Sequence, residues 1–325
     1  MKKVPGELLD FLRTGNKFLV TGHKEEDGDC VGSQLALCSA LRRLGKEAIP
    51  CATGPFKRTE IKPYEKFFCF NIDEKTRKDA FLIIADCCEL ERTGDLAPVL
   101  KGLHTAFIDH HKINLHKQDL EGKPIYICEE SPSVTLMILN IIDALGMELT
   151  KEEAEYLLFG LCTDTGFFRH VDSGNAETFE AAAKLVKAGA SPKKTYRDIY
   201  GNKSLDSRYL LGHILIRTES HFGGKLLVTT EDAEKIQQYG TDSRDSDTLY
   251  QLLQSVTGAQ AVVLIRQDKP GKLSVGFRSL DPVDVSKIAE SLGGGGHKNA
   301  AGASITGTID EIIPKIPDLF KNIFS

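Results

Sequence analysis

Residues 17–33 read KFLVTGHKEEDGDCVGS and decide how the first half of the chain folds. The opening apolar run predicts a buried strand, and the pattern from Gly32 to Leu44 predicts the helix that follows it. Between the two lie His23, Asp27 and Asp29. Because ligands bind at the carboxyl ends of parallel strands in α/β sheets, these three side chains are candidate ligands at that edge.

The first half of the chain repeats this alternation of strand and helix. Strand-like runs end near residues 51, 86, 109 and 128, and helical patterns cover residues 133–145, 151–162 and 175–188. Such alternation is typical of a mainly parallel sheet with helices on both faces. The sequence therefore predicts an α/β fold, with a catalytic domain at residues 1–190, a connecting segment at 191–222 and a smaller α/β domain at 223–325.

Three further segments end with side chains that bind hard metal ions. Asp86 follows the run LIIA, AFIDHH supplies Asp109, His110 and His111, and Asp164 ends a helical pattern. Each has an ordinary interpretation when taken alone, since Asp often caps a helix and most histidines are structural. Together, at the ends of strands and helices, they predict one metal centre. Four other histidines are interpreted as structural or surface residues: His104, His116, His213 and His221.

The chemistry of these ligands indicates which ions would bind. Carboxylates with imidazoles and no cysteine favour Mn²⁺, with Mg²⁺ or Co²⁺ as alternatives, over a structural zinc site. At least four Asp side chains in one place repel one another unless cations neutralise them. Six or seven ligands suffice for two divalent metal ions that share a bridging carboxylate, an arrangement that activates water for phosphoester hydrolysis.

The second half contains four consecutive glycines, Gly293–Gly296, followed by His297 and Lys298. Such a run alone is more typical of a flexible connector. Arg278 and Ser279 end a strand just upstream, however, and Arg offers a bidentate fork to phosphate. We therefore predict a substrate-binding site formed by Arg278, Ser279, Gly295, Gly296, His297 and Lys298, joined from the catalytic side by Arg169 in TGFFRH.

Composition and charge exclude several classes of protein. With 325 residues, 41% of them hydrophobic and 27% charged, the chain is not disordered and can form two cores. Its formal net charge is -5, and residues 223–325 hold 11 basic and 13 acidic residues, so neither half has the basic surface expected of a long-duplex binder. No apolar run approaches the roughly 20 residues of a membrane helix, and the polar start is not a secretory signal. We expect a cytoplasmic protein whose eight cysteines, all within residues 30–162, are free thiols.

The motifs resemble those of the DHH phosphoesterases. The first segment matches H-x-x-x-D-x-D-x-x-G-S, and the strand-end Asp, the D-H-H tripeptide and the helix-borne Asp follow in the family's order. In the second half, FRS and VDVSKIAESLGGGGHKNAAG resemble the glycine-rich motif of the DHH-associated C-terminal domain. Within the family, the resemblance is closest to the stand-alone bifunctional oligoribonucleases and 3′-phosphoadenosine 5′-phosphate (pAp) phosphatases, often called nanoRNases. It is less close to the large cyclic-di-AMP phosphodiesterases, with their membrane and sensor segments, and to RecJ-type exonucleases, with their extra domain.

The resemblance implies a role for each ligand. One ion would be held by His23, Asp27 and Asp86, and the other by Asp29, Asp86, His110 and Asp164. Asp86 would thus bridge the two ions. His111 would face the scissile phosphate, and Asp109 would orient the neighbouring histidine. Glu26 stands where the family usually has a proline, a departure that changes the loop without removing a ligand.

The resemblance also implies an activity: hydrolysis of short RNA or DNA oligonucleotides, or of a nucleoside bisphosphate such as pAp, in a cleft between the two domains. Three alternatives remain open. A family II-type inorganic pyrophosphatase resembles the first domain, and a phosphodiesterase for cyclic or linear dinucleotides such as c-di-AMP and pApA carries similar motifs. A nucleotide sensor would bind without cleaving. Long duplex nucleic acid and a membrane are not expected as partners, and no motif decides whether the chain forms a homodimer.

Overall fold

In the computed structural model, the chain divides into two units, Met1–Asn202 and Lys203–Ser325. This division falls inside the predicted connecting segment 191–222. The structure describes residues 2–112, 120–231, 233–241 and 244–324. His116, interpreted above as structural, lies outside these ranges.

The first unit is built on a five-stranded parallel sheet. Its strands, in the sheet order β2-β1-β3-β4-β5, are β2 (Glu47–Pro50), β1 (Lys17–Thr21), β3 (Phe81–Ala85), β4 (His104–Asp109) and β5 (Ile125–Ile127). All four pairings are parallel. The predicted α/β fold class is therefore confirmed. Because β1, β3 and β4 are adjacent and run in the same direction, their carboxyl ends lie side by side.

Both faces of this sheet are buried, which explains why its strands are continuous apolar runs. Alternate side chains point to opposite faces. On one face Val20 and Ile83 belong to the larger core cluster, together with residues of the long helices. On the other face Leu19, Leu82 and Phe107 form a second cluster.

Eight helices belong to the first unit among the described residues. They are α1 (Gly6–Thr14), α2 (Gly28–Arg43), α3 (Glu74–Arg77), α4 (Ala97–Leu100), α5 (Val134–Ala144), α6 (Lys151–Asp164), α7 (Ala176–Lys187) and α8 (Pro192–Tyr200). Short 3₁₀ segments occupy Lys62–Phe67 and Leu90–Leu96. A capping box formed by Thr150 and Glu153 starts α6.

The start of α2 differs from the prediction. The sequence pattern places the helix start at Gly32–Ser33, but α2 begins at Gly28, because the Asp27 carboxylate accepts a 3.0 Å hydrogen bond from the Cys30 amide and caps the helix. Asp29 consequently lies in the first turn of α2 rather than in a loop.

Helices α2 and α6 approach closely through glycine. A Cβ at Gly32 would lie 2.5 Å from the Tyr156 carbonyl oxygen, and one at Gly160 would lie 3.0 Å from the Asp29 Cα. This close approach brings the first turn of α2 near the last turns of α6, where Asp164 is located.

The second unit contains a six-stranded mixed sheet of order β10-β11-β9-β8-β7-β6. Its strands are β6 (Glu219–His221), β7 (Leu226–Glu231), β8 (Ala261–Lys269), β9 (Lys272–Ser279), β10 (Gly295–His297) and β11 (Ala300–Thr306). Only the β7–β8 pairing is parallel. Its helices within the described ranges are α9 (Leu205–Ile216), α10 (Ala233–Tyr239), α11 (Ser246–Gln254), α12 (Ser286–Ser291), α13 (Ile309–Ile312), α14 (Ile316–Leu319) and α15 (Lys321–Phe324). Leu273, Val275 and Phe277 alternate along β9 and are buried in one of the unit's two cores.

Two further observations concern membrane-spanning helices and the cysteine thiols. Among the residues that the structure describes, no helix is both long enough and apolar enough to cross a membrane. All eight cysteines are free, and Cys69 alone among them is partly exposed.

Candidate metal centre

The predicted ligands converge at one edge of the parallel sheet. His23 and Asp27 follow β1, Asp86 follows β3, and His110 follows β4. Asp164 reaches the same place from the end of α6. The structure thus brings together the side chains that the four separated sequence segments supply.

Asp86 lies at the middle of this arrangement. Its Oδ2 is 3.2 Å from the His23 Nε2, while its Oδ1 is 3.7 Å from the His110 Nε2 and 3.6 Å from the His111 Nδ1. The side chain is 2% exposed, and Oδ1 accepts no hydrogen bond from the described part of the chain. A buried carboxylate whose two oxygens face imidazoles from two different strands is suited to bridge two cations.

The backbone at Asp86 helps to aim this carboxylate. Its φ is 66°, a left-handed conformation that is uncommon outside glycine and is often found at functional sites. The Asp86 amide is held by a 2.9 Å hydrogen bond to the Ile108 carbonyl of β4. The side chain therefore leaves the end of β3 in a direction that a regular strand would not give it.

His23 and Asp27 form one side of the centre. The His23 Nε2 is 3.6 Å from the Asp27 Oδ2, while the other oxygen of Asp27 caps α2. Burial alone would lower the pKa of His23, but Asp27 and Asp86 raise it to about 10. Burial would raise the pKa of Asp27, and His23 lowers it to about 2. One oxygen of the Asp27 carboxylate thus caps α2, and the other faces His23 in the candidate metal centre.

His110 and Asp164 form the other side. The His110 Nε2 is 3.2 Å from the Asp164 Oδ2, and its Nδ1 is 3.0 Å from the Ser131 carbonyl oxygen. That carbonyl fixes the Nδ1–H tautomer and leaves Nε2 with a lone pair for a cation. Burial, together with the nearby carboxylates Asp29, Asp27 and Asp86, raises the pKa of Asp164. A carboxylate at a helix C-terminus also opposes the helix dipole, so a bound cation would relieve both costs.

Asp29 is completely buried and is held by the start of α5. The amides of Val134 and Thr135 donate to its two oxygens at 2.6 Å and 2.8 Å, and the Thr135 hydroxyl donates at 2.7 Å. Burial and the neighbouring carboxylates Asp86 and Asp27 raise its pKa, while the hydrogen bonds from Thr135 oppose that rise. These bonds fix the carboxylate beside His110 and Asp164.

His111 is placed by Asp109, as the resemblance implies. The Asp109 Oδ1 accepts from the His111 amide at 3.1 Å and lies 2.8 Å from its Nδ1. Asp109 is fully buried, whereas the His111 side chain is 45% exposed. The hydrogen bond to Asp109 raises the pKa of His111, and burial opposes the rise. The exposed Nε2 edge of the ring is therefore available to a ligand.

The donor atoms fit divalent ions. In the part of the chain that the structure describes, three sets of side chains have ligand atoms within 4.8 Å of one another. They are His23 with Cys30 and Asp86, Asp86 with His110 and His111, and Asp29 with His110 and Asp164. Asp86 and His110 each belong to two sets, as expected for neighbouring ions. Asp86 Oδ1 also has no hydrogen-bond partner among the described residues. These donor atoms therefore fit the two divalent metal ions that the sequence predicts.

Sequence reasoning missed several residues of this site. Cys30 lies beside His23 and Asp86, but burial raises the pKa of its thiol, and the Gln34 amide donates to the sulfur at 3.3 Å. Its position three residues after Asp27 was the available signal. Ser131 and Thr135, which hold His110 and Asp29, carried no recognisable signal at all.

Glu26, the departure from the family pattern, is buried and is bonded to the segment that follows β2. Its Oε1 accepts hydrogen bonds from the Thr53 amide at 3.1 Å and the Gly54 amide at 3.4 Å. The side chain fastens the ligand-bearing loop to the segment that follows β2. This agrees with the expectation that the replacement changes the loop and leaves the ligands in place.

Arg169 lies in an exposed turn after α6. Residues 166–168, just before it, all have positive φ. Its guanidinium is 3.2 Å from the His170 Nε2. A role in substrate binding stays a prediction for this residue.

The predicted substrate-binding residues of the second unit are held by contacts with neighbouring residues of the same unit. The Arg278 guanidinium lies 4.7 Å from the centre of the Tyr250 ring and donates to the Phe277 carbonyl. The buried Ser279 hydroxyl donates to the Val283 carbonyl at 2.8 Å, so it fastens the chain rather than facing solvent. Lys298 forms an exposed ion pair with Asp281 at 2.8 Å.

The glycine run is partly explained by sheet packing. Gly295 and Gly296 belong with His297 to the strand β10, which pairs with β11. A Cβ at Gly294 would lie 2.1 Å from the Gly302 carbonyl oxygen, whereas one at Gly295 would meet nothing within 4 Å. The exposed Gly295, Gly296 and His297 remain candidates for ligand contact, and their role stays a prediction.

Comparison with known proteins agrees with these observations. The model described as "DHH family, N-terminal domain" matches residues 17–161, and the DHHA1 domain model matches residues 223–324. The chain is 34% identical to the bifunctional oligoribonuclease and PAP phosphatase NrnA of Thermus thermophilus, over 89% of this chain and 84% of that protein.

Two solved structures show a similar fold. An exopolyphosphatase-related protein from Bacteroides fragilis superposes with a TM-score of 0.87 at 21% identity, covering 100% of this chain and 98% of the other. RecJ of Thermus thermophilus in complex with Mn²⁺ gives a TM-score of 0.55 at 17% identity, covering 98% of this chain and 53% of RecJ.

Proposed function

This chain belongs to the DHH family and carries its DHHA1 domain, and we propose that it is a manganese-dependent phosphoesterase that hydrolyses short oligonucleotides and pAp. Membership of the family indicates a phosphoesterase. The observation that carries the proposal is the position of Asp86, whose two oxygens face His23 on one side and His110 with His111 on the other. The relative whose name specifies both oligoribonuclease and PAP phosphatase activity supports the choice of substrates.

The residues that would hold two divalent ions are those that the family resemblance implies, and their closeness to one another supports the assignment. His23, Asp27 and Asp86 would hold one ion, and Asp29, Asp86, His110 and Asp164 the other. When bound, two such ions lower the pKa of a water molecule and stabilise the charge on the leaving oxygen. Mn²⁺ suits this mixture of oxygen and imidazole donors.

The chain's own residues supply the positioning. Asp29 is immobilised by three hydrogen bonds from Val134 and Thr135, and His110 by the Ser131 carbonyl. His111 is fixed at Nδ1 by Asp109, and the raised pKa favours the protonated ring. Its exposed Nε2–H would then donate to a non-bridging oxygen of the scissile phosphate as negative charge accumulates there.

The second unit would hold the end of the substrate that is not cleaved. Arg278 would bind its phosphate, and His297 and Lys298 would contact the nucleotide next to the exposed glycines. In this proposal residues 1–190 form the catalytic domain, 191–222 the connection and 223–325 the substrate-binding domain. The proposed substrates are short, and the formal net charge of -5 agrees with this, because binding of a long nucleic acid favours many basic contacts to phosphates.

The test is hydrolysis of four substrates side by side with Mn²⁺: a diribonucleotide, a 20-nucleotide RNA, pAp and pyrophosphate. The proposal predicts that the dinucleotide or pAp is cleaved fastest and that chelation of the metal abolishes turnover. Fastest cleavage of pyrophosphate would favour the family II-type alternative. Parallel assays with c-di-AMP and pApA decide the dinucleotide alternative, and binding without turnover would indicate a sensor.

A further inference from the structure

Cys51 and Cys69 lie opposite each other at the two ends of the segment that follows β2. The Cys69 amide donates to the Pro50 carbonyl at 2.9 Å, and the Cys69 carbonyl accepts from the Ala52 amide at 3.2 Å. These two bonds form an isolated parallel β-bridge in which Cys69 is the partner of Cys51. Neighbouring strands lie about 4.7–4.9 Å apart, within the range of about 4.4–6.8 Å that separates the Cα atoms of a disulfide. The backbone thus holds the two cysteines at a separation that a disulfide can span.

Both cysteine side chains lie on the same face of this bridge. Cys51 is buried in the core cluster that contains Leu19, and Cys69 packs against the same cluster. The residue after Cys51 and the residue before Cys69, Ala52 and Phe68, belong to a different cluster. Because successive side chains of an extended chain point to opposite faces, this division places the two thiols on one side of the bridge.

The two thiols differ in exposure and in acidity. Cys69 is partly exposed, whereas Cys51 is buried. A hydrogen bond from the Cys51 thiol lowers the pKa of Cys69 to about 6, and burial opposes this change. The same hydrogen bond and burial raise the pKa of Cys51. Each sulfur also lies near a backbone carbonyl oxygen, that of Asn71 at 3.2 Å from Cys69 and that of Ile49 at 3.5 Å from Cys51. Since an accessible thiolate is the reactive form of cysteine, Cys69 is the member of the pair that a small oxidant would reach first.

We propose that Cys51 and Cys69 form a reversible redox pair, in which hydrogen peroxide oxidises Cys69 and Cys51 converts the product into a disulfide. The Cys69 sulfur attacks one oxygen of the peroxide and the O–O bond breaks. The leaving hydroxide takes up the thiol proton as water, and Cys69 becomes a sulfenic acid. The Cys51 sulfur then attacks the Cys69 sulfur, the S–O bond breaks, and the hydroxyl group leaves with the Cys51 proton as a second water. Two equivalents of a small thiol reverse the change by thiol–disulfide exchange.

The pair closes the base of a segment that is packed beside the candidate metal centre. Phe56 of this segment belongs to a buried cluster with Val31 of α2 and Phe159 of α6. Glu26 of the ligand loop accepts a hydrogen bond from the Thr53 amide of the same segment. A disulfide would therefore join the two ends of a segment that supports the ligand loop. Its formation requires neither metal nor substrate, so its test is independent of the proposed function.

The test treats the reduced full-length protein with hydrogen peroxide at about pH 7 and follows each thiol by peptide mass spectrometry. Three quantities are measured: the intact mass, the cross-linked peptide that joins Cys51 to Cys69, and the rate at which each cysteine is consumed. A parallel sample contains dimedone, which traps sulfenic acids. Cys69→Ser and Cys51→Ser each remove one partner. Cys128→Ser is the matched control, because it removes a thiol of the same unit that contacts the Glu130 carboxylate instead.

We expect the wild type to lose two hydrogen atoms and to form the Cys51–Cys69 disulfide, which dithiothreitol reverses. Cys69 should be consumed about tenfold or more faster than the cysteines outside the pair. In Cys51→Ser, Cys69 should still react, and dimedone should trap it as a sulfenic acid. In Cys69→Ser the fast reaction should disappear, and Cys128→Ser should behave as the wild type.

A wild type that forms no Cys51–Cys69 disulfide would overturn the inference, and so would equally fast oxidation of the cysteines outside the pair. Persistence of the fast reaction in Cys69→Ser would assign it to another thiol and would also contradict the inference. The first two outcomes need only the wild-type protein, so they decide the matter even if a serine variant does not fold.

Discussion

In the first unit Asp29, Asp86 and Asp109 are almost completely buried, whereas in the second unit Gly295, Gly296 and His297 are exposed. The buried set is aimed by hydrogen bonds from α5, by the left-handed backbone at Asp86 and by the His111 ring. The exposed set is held by the β10–β11 pairing. The candidate metal centre is thus pre-organised by hydrogen bonds and burial, whereas the predicted substrate-binding residues Gly295, Gly296 and His297 of the second unit are exposed.

This difference has an electrostatic consequence. Several carboxylates share the buried edge, and their burial raises the pKa of Asp29, Asp86 and Asp164 in the absence of cations. Bound divalent ions would relieve this cost, so we expect metal affinity and folding stability to be coupled in the first unit. Substitutions in the two regions should therefore differ in which property they change, as well as in the size of the change.

The largest effect is expected at Asp86. Asp86→Asn removes the carboxylate that we propose to bridge two ions, so kcat should fall by about 10³-fold or more and bound manganese should drop below that of the wild type. Without metal, the variant should melt no lower than the wild type, because a buried charge has been removed. Asp95→Asn, an exposed acid after the same strand, is the control. Near-normal turnover in Asp86→Asn would refute the bridging role.

A smaller loss is expected at Asp109. Asp109→Asn removes the acceptor that orients His111 and raises its pKa, so kcat should fall by about 10–100-fold. The direction of the pH effect follows from the loss of this hydrogen bond. Without it the pKa of His111 is lower, so the protonated ring is lost at lower pH. The alkaline limb of the pH profile of kcat should therefore move to lower pH. An unchanged profile would show that this pair does not govern activity.

The spacing of α2 and α6 can be tested without touching a ligand. A Cβ at Gly160 would lie 2.4 Å from the Thr135 Cγ2 and 3.0 Å from the Asp29 Cα, so Gly160→Ala should destabilise the fold by about 1–3 kcal/mol and weaken manganese binding. Gly212→Ala in α9 is the control, since its Cβ would meet nothing within 4 Å. That change should be neutral or stabilise the chain by up to about 1 kcal/mol. Equal melting temperatures for the two variants would contradict the close approach.

The smallest effect is expected in the second unit. Arg278→Ala should raise KM by about tenfold with little change in kcat and no change in bound manganese, because the residue would contact only the substrate end. Lys298→Ala, which loses an exposed ion pair with Asp281, should change KM less. A collapse of kcat alone in Arg278→Ala would place this residue with the chemistry and remove the distinction between the two regions.

The parallel sheet and the convergence of its ligands were predictable from the sequence. Strands covered on both faces are continuous apolar runs, and a ligand directly after such a run must lie at the sheet edge. The convergence of Asp86 with His23 and His110 follows from that rule alone. The early start of α2 was not predictable, because the polar run KEEDGD is typical of a loop until Asp27 is seen to cap the helix.

Other features left little trace in the sequence for physical reasons. The edge strand β6 (Glu219–His221) is short and lacks a buried face. The strand β10 consists of two glycines and a histidine, residues that do not favour strands. Glu26 lies in a run of charged residues, and its role depends on contacts with Thr53 and Gly54 that no local pattern encodes.

The most direct test of the shared carboxylate is anomalous diffraction at the manganese edge from crystals of the Mn²⁺-loaded protein. Our account predicts two peaks about 3.5–4 Å apart, with the Asp86 carboxylate between them, His23 next to one and His110 next to the other. A single peak, or two peaks that do not share Asp86, would contradict it.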